Sequence, residues 1–255
     1  MADFERYIGV RYSGRKGPQD RLRQIQVSVA EGDAAPFFQP NPADEEGRWS
    51  RRELAEWLQE RLGERDGAAK PVPIVVGLDH AFALPLSYMQ RHGLKSWPEF
   101  LLDFEENVPT HQVSLLDLLP GNVRGGDPDE LRLTGDWTAF PNAAFSFDLQ
   151  DTPGRSAYAG IPWLSYLRRS GAHFWPFDGW DVPRGRSLVA EVRPARLRHR
   201  YRKPGAGSEE GDAYAICAWL QDRDRHDLLR PYFAPPLTDE EKERARMEGW
   251  ILGVW

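Results

Sequence analysis

Residues 74–79 read Ile74-Val-Val-Gly-Leu-Asp79, and this stretch decides the interpretation of the chain. An unbroken apolar run with β-branched residues is typical of a central strand that is covered on both faces. Asp79 is the first polar residue after the run, so it is predicted to lie where the strand ends. Binding and catalytic sites of α/β sheets form at strand ends, where loops converge. Asp79 is therefore the first candidate functional residue.

Four further patterns predict strands around this central one. Tyr7 to Val10 is mostly apolar, and Leu22 to Ala30 alternates polar with apolar residues, as a half-buried strand paired with the first would do. Ser187 to Val192 predicts another buried strand, and Ala172 to Phe177 predicts an edge strand. The early strands are predicted to pair with each other because they follow one another closely in the chain.

Helical patterns alternate with the later strands. Capping-box residues and amphipathic spacing predict helices that begin near Ser50, Ser96, Ile161, Asp212 and Thr238. The stretch from Pro120 to Asp151 is rich in Gly, Pro, Asp and Asn, which predicts an irregular insertion around 120–151. Together these elements predict an α/β protein with a mixed sheet that is flanked by helices.

Composition limits the function classes. The chain has 255 residues, a formal net charge of -6 and no apolar stretch near the length of a membrane helix. Its first residues, Met-Ala-Asp-Phe-Glu-Arg, carry acids where a secretory signal carries bases, so a cytoplasmic protein is predicted. A nucleic-acid partner would need a local basic patch, because the overall charge repels polyanions. No pattern indicates an oligomeric state.

Three carboxylates stand at predicted strand ends or helix starts: Asp79, Glu191 and Asp212. Brought together, they would bind a hard divalent cation, which prefers oxygen ligands. Each also has a structural explanation. Asp79 and Asp212 could cap helices, and Glu191 could form an ion pair with Arg11 or Arg193.

Several motifs occur along the chain in a recognisable order. They are Gly9-Val-Arg-Tyr-Ser-Gly14, Val76-Gly-Leu-Asp79 followed by Ala81-Phe-Ala-Leu-Pro85, Gly154–Trp163, His173–Asp178, Val189-Ala-Glu-Val-Arg-Pro194, Asp212-Ala followed by Ala218, and Glu248–Gly253. In this order and spacing they resemble the ribonuclease H-like superfamily, and within it the predicted nucleases called domain of unknown function 429. The likeness covers nearly the whole chain, which predicts a single ribonuclease H-like domain over residues 1–255.

The resemblance implies an active site of acidic residues that hold Mg²⁺ or Mn²⁺ and cleave a phosphodiester bond of nucleic acid. Asp79 matches the second acid of that site, Glu191 the acid of the later strand, and Asp212 the acid on the last core helix. All three are therefore predicted as catalytic and metal-binding residues. The acid of the first strand should stand where this chain has Arg11.

Arg11 allows two interpretations because a guanidinium stays protonated and cannot bind a metal ion. It could neutralise the neighbouring acids in place of a cation, or it could meet a substrate phosphate. Ser13 and Arg193 are predicted to contact substrate beside it. The segment around Arg155 and Ser156 is predicted to precede a helix, where backbone N–H groups receive phosphate, although Ser156 could equally act as a helix cap.

Three functions remain open on the sequence alone. The first is a metal-dependent nuclease whose activity is weakened by the arginine at position 11. The second is a non-catalytic protein of the same fold, which binds nucleic acid or a protein through the basic run from Arg193 to Lys203. That run could also be no more than a solvated surface. The third is a nucleotide-binding phosphotransferase, against which the lack of Gly-rich phosphate loops argues.

Overall fold

The computed structural model describes residues 2–119, 124–127, 129–138, 145 and 153–255, and within them the chain is an α/β protein with a mixed sheet. The described strands are β1 (Arg6–Arg11), β2 (Gln26–Glu31), β3 (Phe37–Phe38), β4 (Ile74–Leu78), β5 (His173–Trp175) and β6 (Leu188–Glu191). The described helices are α1 (Arg51–Leu62), α2 (Leu86–Arg91), α3 (Trp97–Asn107), α4 (Leu115–Leu118), α5 (Leu133–Asp136), α6 (Pro153–Arg168), α7 (Ser208–Arg225) and α8 (Asp239–Glu248). The α/β class is confirmed. The irregular insertion predicted around 120–151 lies largely outside the described residues.

The sheet has the order β3-β2-β1-β4-β6-β5. β1 pairs with β2, as predicted, and the pair is antiparallel; β1 is parallel to β4, which in turn is parallel to β6. Val10 pairs with Leu78, and Leu78 pairs with Glu191, so the three central strands end side by side. This register places Arg11, Asp79 and Glu191 at the carboxyl ends of three neighbouring central strands.

Helix α7 packs across β1 and β4 on one face of the sheet, and glycine makes this close approach possible. A Cβ on Gly9 would lie 2.2 Å from the carbonyl oxygen of Ala213, and a Cβ on Gly77 would lie 2.5 Å from Ile216. Side chains two residues apart on a strand share a face. Arg11 and Asp79 therefore lie on the α7 face, whereas Glu191, which is in register with Leu78, lies on the opposite face.

Two helices begin earlier than predicted. α7 starts at Ser208 after an N-cap at Gly207, so Asp212 lies inside the helix and does not cap it. The start of α7 was placed too late because its N-cap is a glycine, which has no side chain to mark the position in the sequence. α6 starts at Pro153, which places Arg155 and Ser156 in its first turn and not before it. Asp79 is no cap either, since the next helix begins at Leu86 after Pro85.

The chain ends in a segment that extends the sheet. The backbone N–H of Leu252 donates to the carbonyl oxygen of Glu191 at 2.9 Å, and Leu252 forms a parallel bridge with Val192. Trp250, Ile251 and Val254 are buried beside it. Of the helices in the described ranges, none has both the length and the apolar character to cross a membrane.

Candidate functional site

Arg11 joins two of the predicted acids at the carboxyl ends of β1 and β4. Its Nη1 lies 3.0 Å from Oδ2 of Asp79, and its Nε lies 3.4 Å from Oδ2 of Asp212. The side chain of Asp212 is only 3% exposed, whereas those of Arg11 and Asp79 are each 20% exposed. In this arrangement Arg11 neutralises the neighbouring acids, which is the first of its two predicted roles.

A second arginine covers Asp212 from the solvent side. Arg198 belongs to the basic segment, residues 193–203, which runs in turns from β6 to α7. Its Nη2 donates to Oδ2 of Asp212 at 2.7 Å, and its Nε donates to Oδ1. Bidentate pairing of this kind satisfies both oxygens of a carboxylate. Since Arg198 is 53% exposed, it is the member of this cluster that solvent reaches most easily.

Glu191 does not join these two acids, contrary to the predicted convergence of three carboxylates. It points to the opposite face of the sheet, where Arg132 donates to Oε2 at 2.8 Å and to Oε1 at 2.5 Å. Both side chains are buried. Arg193 remains within electrostatic range of both Glu191 and Asp79. The pairing of Glu191 with an arginine was foreseen, but its main partner was not.

Arg132 and Glu248 are the residues that sequence reasoning missed. The carboxylate of fully buried Glu248 accepts the N–H groups of Leu86 and Leu133, each at 2.6 Å, and its carbonyl oxygen accepts Arg132 Nη1 at 3.0 Å. Arg244 also pairs with this carboxylate at 3.1 Å. The network ties α2, α5 and α8 to the end of β6. The position of Arg132 between two leucines was the one available signal.

The predicted Mg²⁺ or Mn²⁺ site does not fit the side chains as they are placed. Across the part of the chain that the structure describes, no group of three Asp, Glu, His or Cys side chains is arranged to hold a metal ion. Asp79 and Asp212 face Arg11, and Glu191 is bound to Arg132. To bind Asp79 and Asp212 together, a divalent cation would have to displace the guanidinium of Arg11 that lies between them.

The other residues that were predicted to contact a substrate lie close together: Ser13 in the loop after β1, and Arg155 and Ser156 in the first turn of α6. Gly14 packs so closely on α6 that a Cβ would lie 2.2 Å from the carbonyl oxygen of Arg155 and 2.8 Å from the backbone nitrogen of Ser156. Ser13 is buried, and buried Arg51 holds this loop by donating to the carbonyl oxygens of Ser13 and Arg15. The loop and the first turn of α6 are therefore adjacent. Their role in binding a substrate stays a prediction.

Burial raises the pKa of Asp79 to about 7. The positive charge of Arg11 opposes this rise, and the nearby carboxylate of Asp212 reinforces it. In the unfolded chain the value is 3.8, so over this pH window the folded state holds a proton that the unfolded state has released. Raising the pH through the window therefore destabilises the folded protein.

Asp79→Asn is expected to flatten the pH dependence of stability. The wild type should lose about 3 kcal/mol of unfolding free energy between about pH 4 and pH 7 through this group, and the variant should not. Urea titrations across that range measure the difference. Asp181→Asn, which changes an exposed acid in the same way, is the control and should keep the wild-type slope. Parallel slopes for wild type and Asp79→Asn would contradict the raised pKa.

Comparisons with known proteins found no match for this chain among protein-family models, curated proteins or solved structures.

Proposed function

We propose that this chain is a nucleic-acid-binding protein of ribonuclease H-like architecture that does not carry out metal-dependent hydrolysis. The position of Arg11 between Asp79 and Asp212 is the observation that carries the proposal. The mixed sheet, with α7 packed behind β1 and β4, supports the architecture that the sequence motifs imply. In this proposal Arg11 takes the place of both the missing acid and the cation.

The charge at this edge of the sheet supports an anionic ligand. Arg11, Arg193 and Arg198 face two carboxylates, Asp79 and Asp212, and the raised pKa of Asp79 leaves that group only partly ionised near neutral pH. The basic segment adds exposed side chains at Arg196, Arg200 and Arg202. A local surplus of arginine attracts a phosphate backbone even when the whole chain has a net charge of -6.

Arg198 is suited to contact a phosphate because it is both exposed and held in place. Its ion pair with Asp212 fixes the guanidinium at the surface, and a guanidinium has five N–H donors, of which a carboxylate uses two. The other donors are able to meet phosphate oxygens without breaking the pair. Binding of nucleic acid is therefore expected to need no metal ion.

Reversing charge in the basic segment is expected to weaken binding. The double variant Arg196→Glu/Arg202→Glu should bind a labelled single-stranded oligonucleotide at least about tenfold more weakly than the wild type, and with a shallower salt dependence. Fluorescence anisotropy in EDTA at several salt concentrations measures both. Arg52→Glu/Lys95→Glu makes the same change of net charge at exposed positions on α1 and before α3, and is the control.

Two outcomes would contradict the proposal. Equal affinity of both double variants would show that the basic segment is only a solvated surface. Cleavage of single- or double-stranded DNA or RNA by the wild type with Mn²⁺, abolished in Asp79→Asn, would instead support the metal-dependent nuclease that the resemblance implies.

A further inference from the structure

Two aromatic rings and a lysine lie together at the far end of the basic segment. The rings of Phe38 on β3 and Tyr214 on α7 have centroids 6.4 Å apart and are inclined by 57°. The ammonium nitrogen of Lys203 lies 4.0 Å from the centroid of Phe38 and 5.5 Å from that of Tyr214. All three side chains are partly exposed. At these distances the ammonium group of Lys203 is within the range of a cation–π interaction with both rings.

The strand register places these rings on the same face of the sheet as the arginine cluster. Phe38 pairs with Ser28, and Ser28 pairs with Gly9, which packs against α7. The ring of Phe38 therefore belongs to the α7 face. Tyr214 follows Asp212 by two residues on α7, so it lies about 3 Å further along the helix axis but points to a different side of the helix. The basic segment links the two groups directly, because it carries Arg198 at one and Lys203 at the other.

We infer that Phe38, Tyr214 and Lys203 form a base-stacking subsite, so that the ligand of the proposed function is a single-stranded nucleic acid. This inference rests on the proposed function and adds the class of ligand. Proteins that bind single strands combine a basic track for the phosphates with aromatic faces for the bases. Here Arg196, Arg198, Arg200 and Arg202 supply the track, and the rings stand at its end. In a duplex the bases are paired and stacked inside, where these side chains would not reach their faces.

Three probes of equal length test the inference: a deoxythymidine oligonucleotide, an abasic oligonucleotide with the same phosphates, and a duplex. The wild type should bind the deoxythymidine strand about tenfold more tightly than the abasic strand, and more tightly than the duplex. In Phe38→Leu and Tyr214→Leu this preference for bases should fall to about twofold or less, while affinity for the abasic strand stays unchanged.

The chain offers two matched controls. Phe37→Leu removes the neighbouring ring, which is 45% exposed but pairs with Val29 and lies on the opposite face, so the preference should be kept. Tyr214→Phe keeps the ring and loses only the hydroxyl, and should bind as the wild type does. Thermal unfolding of each variant checks that the fold is retained.

The outcomes separate this inference from the proposed function. If the wild type binds all three probes equally, or prefers the duplex, the stacking subsite is wrong while binding through the arginines stands. If it binds none of them, the proposed function fails as well. Equal loss of preference in Phe37→Leu and Phe38→Leu would also overturn the inference.

Discussion

Replacing Arg132 by methionine is expected to lower the free energy of unfolding by about 3–5 kcal/mol. Methionine keeps much of the length and apolar volume but removes the cation that satisfies both oxygens of Glu191. A carboxylate that is buried without its partner has lost its hydration, and no ion pair compensates for that loss. The hydrogen bond from Arg132 to the carbonyl oxygen of Glu248 is lost at the same time. Urea unfolding followed by fluorescence measures the change.

Two controls make this expectation specific. Arg23→Met breaks a pair with Glu46 in which the two side chains are 79% and 51% exposed, and should cost about 1 kcal/mol or less. The double variant Arg132→Met/Glu191→Gln removes the buried charge together with its partner and should recover part of the lost stability. A loss below about 1 kcal/mol in Arg132→Met, or no recovery in the double variant, would show that the pair does not organise the end of β6.

Arg11→Asp is expected to create a Mn²⁺ site that the wild type lacks. The substitution removes the guanidinium that lies between Asp79 and Asp212 and adds a third carboxylate at the end of β1. Without metal, the crowded acids should lower the melting temperature relative to the wild type. Added Mn²⁺ should raise it again, because a ligand at 100 times its Kd stabilises the folded state by about 2.7 kcal/mol. The wild type should show no such rise.

Arg11→Asn separates the two effects of the substitution. It also removes the guanidinium but supplies no third carboxylate, so its response to Mn²⁺ should be much weaker than that of Arg11→Asp. Thermal scans with Mn²⁺ and with EDTA measure binding, and gel assays on the same samples measure cleavage of DNA and RNA. Cleavage that appears only in Arg11→Asp would identify a silenced nuclease. If Mn²⁺ leaves Arg11→Asp unchanged, the idea that Arg11 replaces a metal-ligating acid is wrong.

Most regular elements were predictable because their signals are local. The apolar run of β4, the alternation in β2 and the capping boxes at Ser50 and Thr238 all lie within a few residues of the element that they specify. β3 escaped prediction because Phe37–Phe38 is too short to show a period. The starts of α6 and α7 were placed too late, and for α7 the reason is that its N-cap, Gly207, has no side chain to mark it.

The candidate site divides between what the sequence by itself determined and what only the tertiary structure decided. Apolar runs and their polar ends are local, so the sequence alone established a buried α/β sheet with Arg11, Asp79 and Glu191 at strand ends. Which acids meet depends on the register between strands, because a shift of one residue turns a side chain to the other face. Because α7 packs on the face that carries Arg11 and Asp79, Asp212 of that helix lies beside Arg11. Glu191 pairs with Leu78 in the sheet, so its side chain lies on the opposite face, where it binds Arg132, 59 residues away in the chain.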